Sequence, residues 1–299
     1  METLLLWALG AIWGGVFLLM KLAVATLPPL TAALGRNGIA AAVLLPLALA
    51  RAADRRALRE CAPQLLMMGL LNNAIPNALM AWSLGRIDSG LAAILNATMP
   101  PFTVLLAAAV PPRAPLAPGQ ATGVGLGLLG VTVLVGWDAL RGLGGQALGQ
   151  LAMVGTAFSY ACAAVYGRRL TRLSPLAASS GQVVGASLWL LPLSTALERP
   201  WTLQPSALSL AALAAAGLVG TALAYLLYFR ILALGGPTRL SLVTYVIPLF
   251  GVGWGWLVLD ERMTWNAALA LALIAVGIFC VNGQWRPVRA WLRRRFAPA

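Results

Sequence analysis

Residues 29–50 read PLTAALGRNGIAAAVLLPLALA, and residues 175–196 read PLAASSGQVVGASLWLLPLSTA. Shifted by about 146 positions, Pro29 falls on Pro175, Gly35 on Gly181, and Leu44-Leu45-Pro46-Leu47 on Leu190-Leu191-Pro192-Leu193. Each stretch has the roughly 20 apolar residues that a helix needs to cross the hydrocarbon core of a bilayer, so one membrane-length helix occurs twice in the chain. The match continues outward. Pro100-Pro101-Phe102 falls on Pro248-Leu249-Phe250, and Gly130 and Gly136 fall on Gly277 and Gly283.

Composition agrees with that reading. Of 299 residues, 60% are hydrophobic and 10% charged, against about 25% charged in an ordinary soluble domain. Too little polar side chain remains to cover a water-exposed globule, which excludes a soluble enzyme, a disordered chain and a nucleic-acid module. There is no His, so the commonest general base and metal ligand is missing. Cys61, Cys162 and Cys280 are odd in number and far apart, suggesting neither a disulfide framework nor a thiolate metal site. Gly125-Leu126-Gly127-Leu128-Leu129-Gly130 matches a dinucleotide-binding pattern, but inside an apolar run with no preceding strand and no acidic partner for a ribose; its glycines suit close helix packing instead. No cofactor and no metal is expected.

Ten apolar runs follow along the chain, at 4–26, 31–50, 64–84, 89–111, 120–137, 148–167, 176–197, 207–233, 239–259 and 265–283. Ala23-Val24-Ala25 imitates a signal-peptidase site, but no cationic segment precedes it and the apolar run is too long, so the first run is expected to be a retained span. Five spans per repeat is an odd number, so the second copy enters the membrane the other way round. The expected fold is an all-α integral membrane protein with ten transmembrane helices, built as two inverted five-helix repeats around a central cavity: residues 1–140, then 148–283. Inverted repeats of this kind are a transporter signature, with the substrate near the midplane where the repeats meet.

The cations set the expected orientation. Lys21 is the one lysine, and the other 20 of the 21 cations behind the +13 net charge are arginines. With both termini cytoplasmic, Arg51, Arg55, Arg56 and Arg59, then Arg113, then Arg168, Arg169 and Arg172, then Arg239, and Arg286, Arg289, Arg293, Arg294 and Arg295 all lie inside. Only Arg86, Arg141, Arg199 and Arg262 lie outside, as the positive-inside rule prefers. The tail 284–299 interleaves Trp285, Val288, Trp291, Leu292 and Phe296 with five arginines. It reads as a basic amphipathic cytoplasmic segment resting on anionic lipid; the bilayer is its partner, and no nucleic acid is.

On these residues the chain resembles the drug/metabolite transporter superfamily with paired EamA-type domains. The resemblance is carried by Trp13-Gly14 with Lys21 in the first span, Arg36 in the second, Ala92-Ala93 leading to Pro100 in the fourth, and Leu259-Asp260-Glu261-Arg262 after the ninth. The last looks like the family's leucine-glycine-glutamate-arginine turn with Asp260 in place of Gly; the first half has Pro112-Arg113-Ala114 instead. Within the superfamily the chain looks most like bacterial exporters of aromatic and other amino acids, the YddG type. The resemblance implies a bacterial inner-membrane exporter of small molecules.

Polar residues inside spans mark the expected cavity, because they are costly in lipid unless they face water or one another. Asn73, Asn77 and Met80 share one helical face, and their repeat partners Thr221, Tyr225 and Tyr228 have the same spacing on the eighth span. Asn96 likewise falls on Thr244, beside Tyr245. Trp13 and Phe17 from the first span and Phe158 and Tyr160 from the sixth add aromatic lining. Lys21 and Arg36, each about five residues inside the first outer turn, are expected at the outer mouth, where they attract a carboxylate. Pro100 and Pro248 are candidate hinges.

All eight acidic residues fall in loops or at span ends, leaving no carboxylate or His for a proton relay at mid-membrane. Facilitative export by alternating access is therefore expected, of aromatic and other neutral amino acids and related metabolites. Two alternatives stand beside it: a multidrug or nucleoside exporter of the same superfamily, and an integral membrane enzyme acting on lipid through Asp260-Glu261-Arg262.

Overall fold

The computed structural model describes residues 2–282 apart from 112, 114, 141–143 and 171–172; the tail expected over 284–299 lies outside them. The described residues are mostly helical, with no strand among them. The first half holds α1 (Glu2–Ala23), α2 (Pro29–Leu49), a short α3 (Ala52–Glu60), α4 (Ala62–Gly69) and α5 (Ile75–Leu84) joined by a π turn over Leu70–Ala74, α6 (Ser89–Asn96), α7 (Met99–Ala109) and α8 (Pro118–Leu140). The second half holds α9 (Gly145–Tyr166), α10 (Pro175–Leu197), α11 (Ala207–Gly217) and α12 (Ala224–Leu240) joined by a π turn over Leu218–Leu223, α13 (Val243–Leu259) and α14 (Trp265–Val281).

Among the described residues, seven helical runs are long and apolar enough to cross a membrane, and α13 and α14 are shorter apolar helices. The run from α4 through α5 is continuous over 62–84 but more polar, since it carries Asn72, Asn73 and Asn77.

Local chemistry sets the boundaries. Pro29 and Pro175 open α2 and α10, where a missing N–H costs nothing. Ser174, Ser206 and Thr264 cap α10, α11 and α14 by accepting from a backbone N–H three residues on. Pro100 lies in the first turn of α7, after a break at Ala97-Thr98, whereas Pro248 lies inside α13. The ninth apolar run starts its helix at Val243 rather than 239, because Ser241 and Leu242 form a turn. The amphipathic α3, absent from the expected elements, packs on α10 and α2; its buried Asp54 accepts from the Ser174 hydroxyl at 2.6 Å.

Packing pairs elements that the sequence repeat also pairs. α2 lies on α10 and α8 on α14, while the contact of α1 with α13 matches that of α9 with α6 and α7. The two π turns occupy corresponding places. A Cβ on Gly35 would come 2.6 Å from Leu213 Cδ2, and one on Gly181 would come 2.6 Å from Leu65 Cδ1, so the two halves exchange the same glycine-to-leucine contact.

The tightest backbone approach joins α8 to α14. A Cβ on Gly277 would lie 2.7 Å from the carbonyl oxygen of Gly123, and one on Gly123 would strike that of Gly277. Backbone cannot yield as a side-chain tip can, so Gly123→Ala is expected to lower stability by about 1–3 kcal/mol. Gly125→Ala, which meets nothing within 4 Å, should melt like the wild type in detergent; equal melting of the two variants would contradict this packing.

Candidate functional site

Four helical runs converge on a buried polar cluster: α2, α4–α5, α9 and α11–α12. From α2 comes Arg36, 7% exposed. Its Nε donates to Thr221 Oγ1 at 2.9 Å, and its Nη1 donates to Asn77 Oδ1 at 3.3 Å and lies 3.9 Å from Met80 Sδ. α9 contributes Tyr160, whose hydroxyl donates to the same Asn77 oxygen at 3.3 Å. Next to them the Tyr225 hydroxyl donates to Asn73 Oδ1 at 3.3 Å. Tyr228, one turn beyond Tyr225, sets its ring 5.7 Å from that of Trp13.

The backbone contributes to this placement. Asn73 and Thr221 both sit in π turns, which widen the helix locally and recur at functional sites. The Thr221 hydroxyl donates five residues back to the Ala216 carbonyl at 3.0 Å.

The structure thus joins Arg36, Asn73, Asn77, Met80, Tyr160, Thr221 and Tyr225, with Trp13 and Tyr228 alongside. The other expected lining residues have different surroundings. Phe17 is buried in the apolar core. Phe158 is 45% exposed and stands edge-on to Phe102 at 5.6 Å. The Thr244 hydroxyl donates to the Ser241 carbonyl, and the Tyr245 hydroxyl accepts from Asn282. Asn96 keeps a buried oxygen with no hydrogen-bond partner. Sequence reasoning missed Asn72 and Gln182, whose amides meet at 2.7 Å, with Asn72 also donating toward the Tyr225 hydroxyl at 3.4 Å. Asn72 lies next to the Asn73 face, and an amide within an apolar run was the available signal.

Lys21 shares none of these partners. Its ammonium lies 3.2 Å from Asp88 Oδ1 and 3.4 Å from Glu261 Oε1, and it donates to the Ile87 carbonyl at 2.8 Å. Glu261 in turn accepts from the Ser89 and Gly90 amides, at 2.8 and 3.0 Å, and from the Ser89 hydroxyl. This clamp ties α1 and the end of α13 to the start of α6. A second carboxylate, Glu198, takes the Leu30 and Thr31 amides and the Thr31 hydroxyl, tying the end of α10 to the start of α2. Both anions lie on helix N-termini, where free N–H groups and the dipole favour them. Half-burial pushes the Glu261 carboxyl up. The Gly90 and Ser89 amides, the Ser89 hydroxyl and the Lys21 ammonium together outweigh this and hold it below its ordinary value. Beside the clamp a cavity of about 300 Å³ opens between α6, α8, α9, α13 and α14, lined by Ile94, Leu134, Gln150, Val252 and Glu261.

An apolar helical bundle that gathers a polar cluster between its two halves has the construction of a membrane transporter. The chain belongs to the EamA-like transporter family, whose model matches residues 1–136 and 147–283. It is similar to the uncharacterized inner membrane transporter YedA of Escherichia coli, at 27% identity over 93% of this chain and 89% of the relative. It is also similar to a Chlamydia trachomatis protein named an S-adenosylmethionine/S-adenosylhomocysteine transporter, at 25% identity over 89% and 84% of the two chains. A solved crystal structure superposes with a TM-score of 0.67 at 22% identity, over 96% of this chain and 98% of the other. The protein is a transporter, and the expectation of an enzyme acting on lipid is set aside.

Two outcomes follow from the clamp. A carboxyl held below its ordinary value of 4.5 adds stability above that pH and loses it as pH falls. Glu261→Gln should therefore cost about 1–3 kcal/mol at neutral pH, with the gap in melting temperature from wild type closing on acidification; a gap that does not change with pH would contradict it. Asp260 ends α13 at φ 53°, the left-handed conformation that favours the glycine of the family turn. Asp260→Gly should gain up to about 1 kcal/mol, and a lowered melting temperature would count against that strain.

Proposed function

We propose that the protein exports aromatic and other neutral amino acids, and related small metabolites, across the bacterial inner membrane by alternating access. In this reading ten spans form two inverted repeats, 1–140 and 148–283, with both termini cytoplasmic and the Lys21 and Glu198 clamps closing the outer end. The observation that carries it is the cluster of Arg36, Asn77, Tyr160 and Thr221, drawn from both halves of the chain. A path used from both faces in turn belongs where the halves meet. The aromatic pair Trp13 and Tyr228 supports a cargo with an apolar side chain, as does the resemblance to the YddG-type exporters. In this reading Pro100 and Pro248, at the head of α7 and inside α13, are the hinges. A nucleoside-bearing metabolite is the second reading, favoured by the relative named for S-adenosylmethionine.

No described carboxylate touches the cluster, so transport is proposed to run down the solute gradient without obligatory proton coupling. Proteoliposomes filled with unlabelled L-phenylalanine should accumulate the labelled solute by counterflow, with or without an imposed pH gradient. Thr221→Val or Asn73→Ala should slow this roughly tenfold, the effect of losing one hydrogen bond at a desolvated site. Flux that strictly requires the pH gradient would contradict the facilitative mechanism.

A further inference from the structure

We infer that the cargo presents an oxyanion to Arg36, a carboxylate in the amino-acid reading, and that organic cations are turned away at this site; the inference rests on the cluster being the transport path. Arg36 is 7% exposed, and the bonds of its guanidinium go to a hydroxyl, an amide oxygen and a thioether, all neutral. Taking such a charge out of water is costly unless an anion meets it. The described acids that have partners are engaged elsewhere: Asp54 by Ser174, Glu60 by Arg56, Asp88 and Glu261 by Lys21, and Glu198 by the start of α2.

The hydrogen-bond inventory points the same way. Both amide oxygens of Asn73 and Asn77 are taken, by Tyr225 and by Arg36 with Tyr160. Both amide nitrogens are buried with no partner, in residues that are 3% and 1% exposed. Asn77 cannot be turned round to relieve this, since its NH₂ would then face the guanidinium. What remains is a surplus of donors around a fixed positive charge, the chemistry that receives a carboxylate. A bare cation finds repulsion there, and an uncharged amide leaves the charge uncompensated.

The test uses paired probes, L-phenylalanine with L-phenylalaninamide and benzoate with benzamide, on the purified full chain. Half-maximal thermal stabilisation in detergent is read alongside counterflow in proteoliposomes. Wild type should prefer each carboxylate to its amide by roughly tenfold to a hundredfold, the range for a hydrogen-bonded charge. Arg36→Gln should remove the preference. Asn77→Asp, which hands the guanidinium an internal counter-ion, should remove it too while raising the protein's own melting temperature, so that loss of preference cannot be ascribed to misfolding. Equal response to acids and amides in the wild type, no response to any carboxylate, or an Asn77→Asp variant that keeps the preference, overturns the inference. Carboxylate binding without counterflow defeats the transport reading alone, and counterflow of acids and amides alike defeats the anion site alone.

Discussion

An arginine buried in an apolar bundle with neutral partners only is the constraint around which this molecule is organised. Lipid offers no water to a polar group, so donors and acceptors inside are met by the protein or by what it binds. Arg36 meets part of that demand by drawing Thr221 from the π turn of the second half, and Asn77 from the helix after the π turn of the first. Tyr160 then shares the amide oxygen that Arg36 uses. The halves are thus joined through a polar knot, while elsewhere they meet through glycine and leucine, as at Gly123 with Gly277 and at Gly35 with Leu213.

The scarce carboxylates serve a different purpose. Glu198 and Glu261 each spread two oxygens over the free N–H groups at the start of a helix from the other half of the chain. Such bonds hold two elements in register, yet they break at modest cost when water reaches them. A transporter needs contacts of that kind at the end of its bundle, and lasting ones such as the α8–α14 backbone approach along its sides. The pairing of Lys21 with Asp88 and Glu261 adds charge to the same end without committing the interior to it.

Much of this was legible in the chain. Apolar runs and their punctuation gave most of the helices to within a few residues, because hydrocarbon thickness and proline chemistry are local constraints; the end of α12, which kinks at Gly236 and runs to Leu240, was set short at 233. The spacing of Asn73, Asn77 and Met80, and of Thr221 and Tyr225, located most of the cluster, since a polar face on an apolar helix must turn inward. Neighbours could not be read. Lys21 and Arg36 stand equally far from the first turn, but one finds carboxylates and the other a hydroxyl and an amide oxygen, a difference decided by which helix lies beside each. Rings were the least informative: Phe17 in the core and Phe158 at the surface differ by packing that no periodicity encodes. Asn72 was passed over because a π turn shifts the register on which facing is judged. The short α3 was hidden by its charge, which reads equally well as loop.

The central claim, that the polar cluster is a path opened to each face in turn, is most directly tested by accessibility of a single thiol. Met80→Cys, in a chain whose three native cysteines are replaced, would be treated with a membrane-impermeant thiol reagent in right-side-out and in inside-out vesicles. Modification is expected from both faces, slowed by a transported solute. Modification from neither face, or from one face alone with no protection by solute, would contradict it.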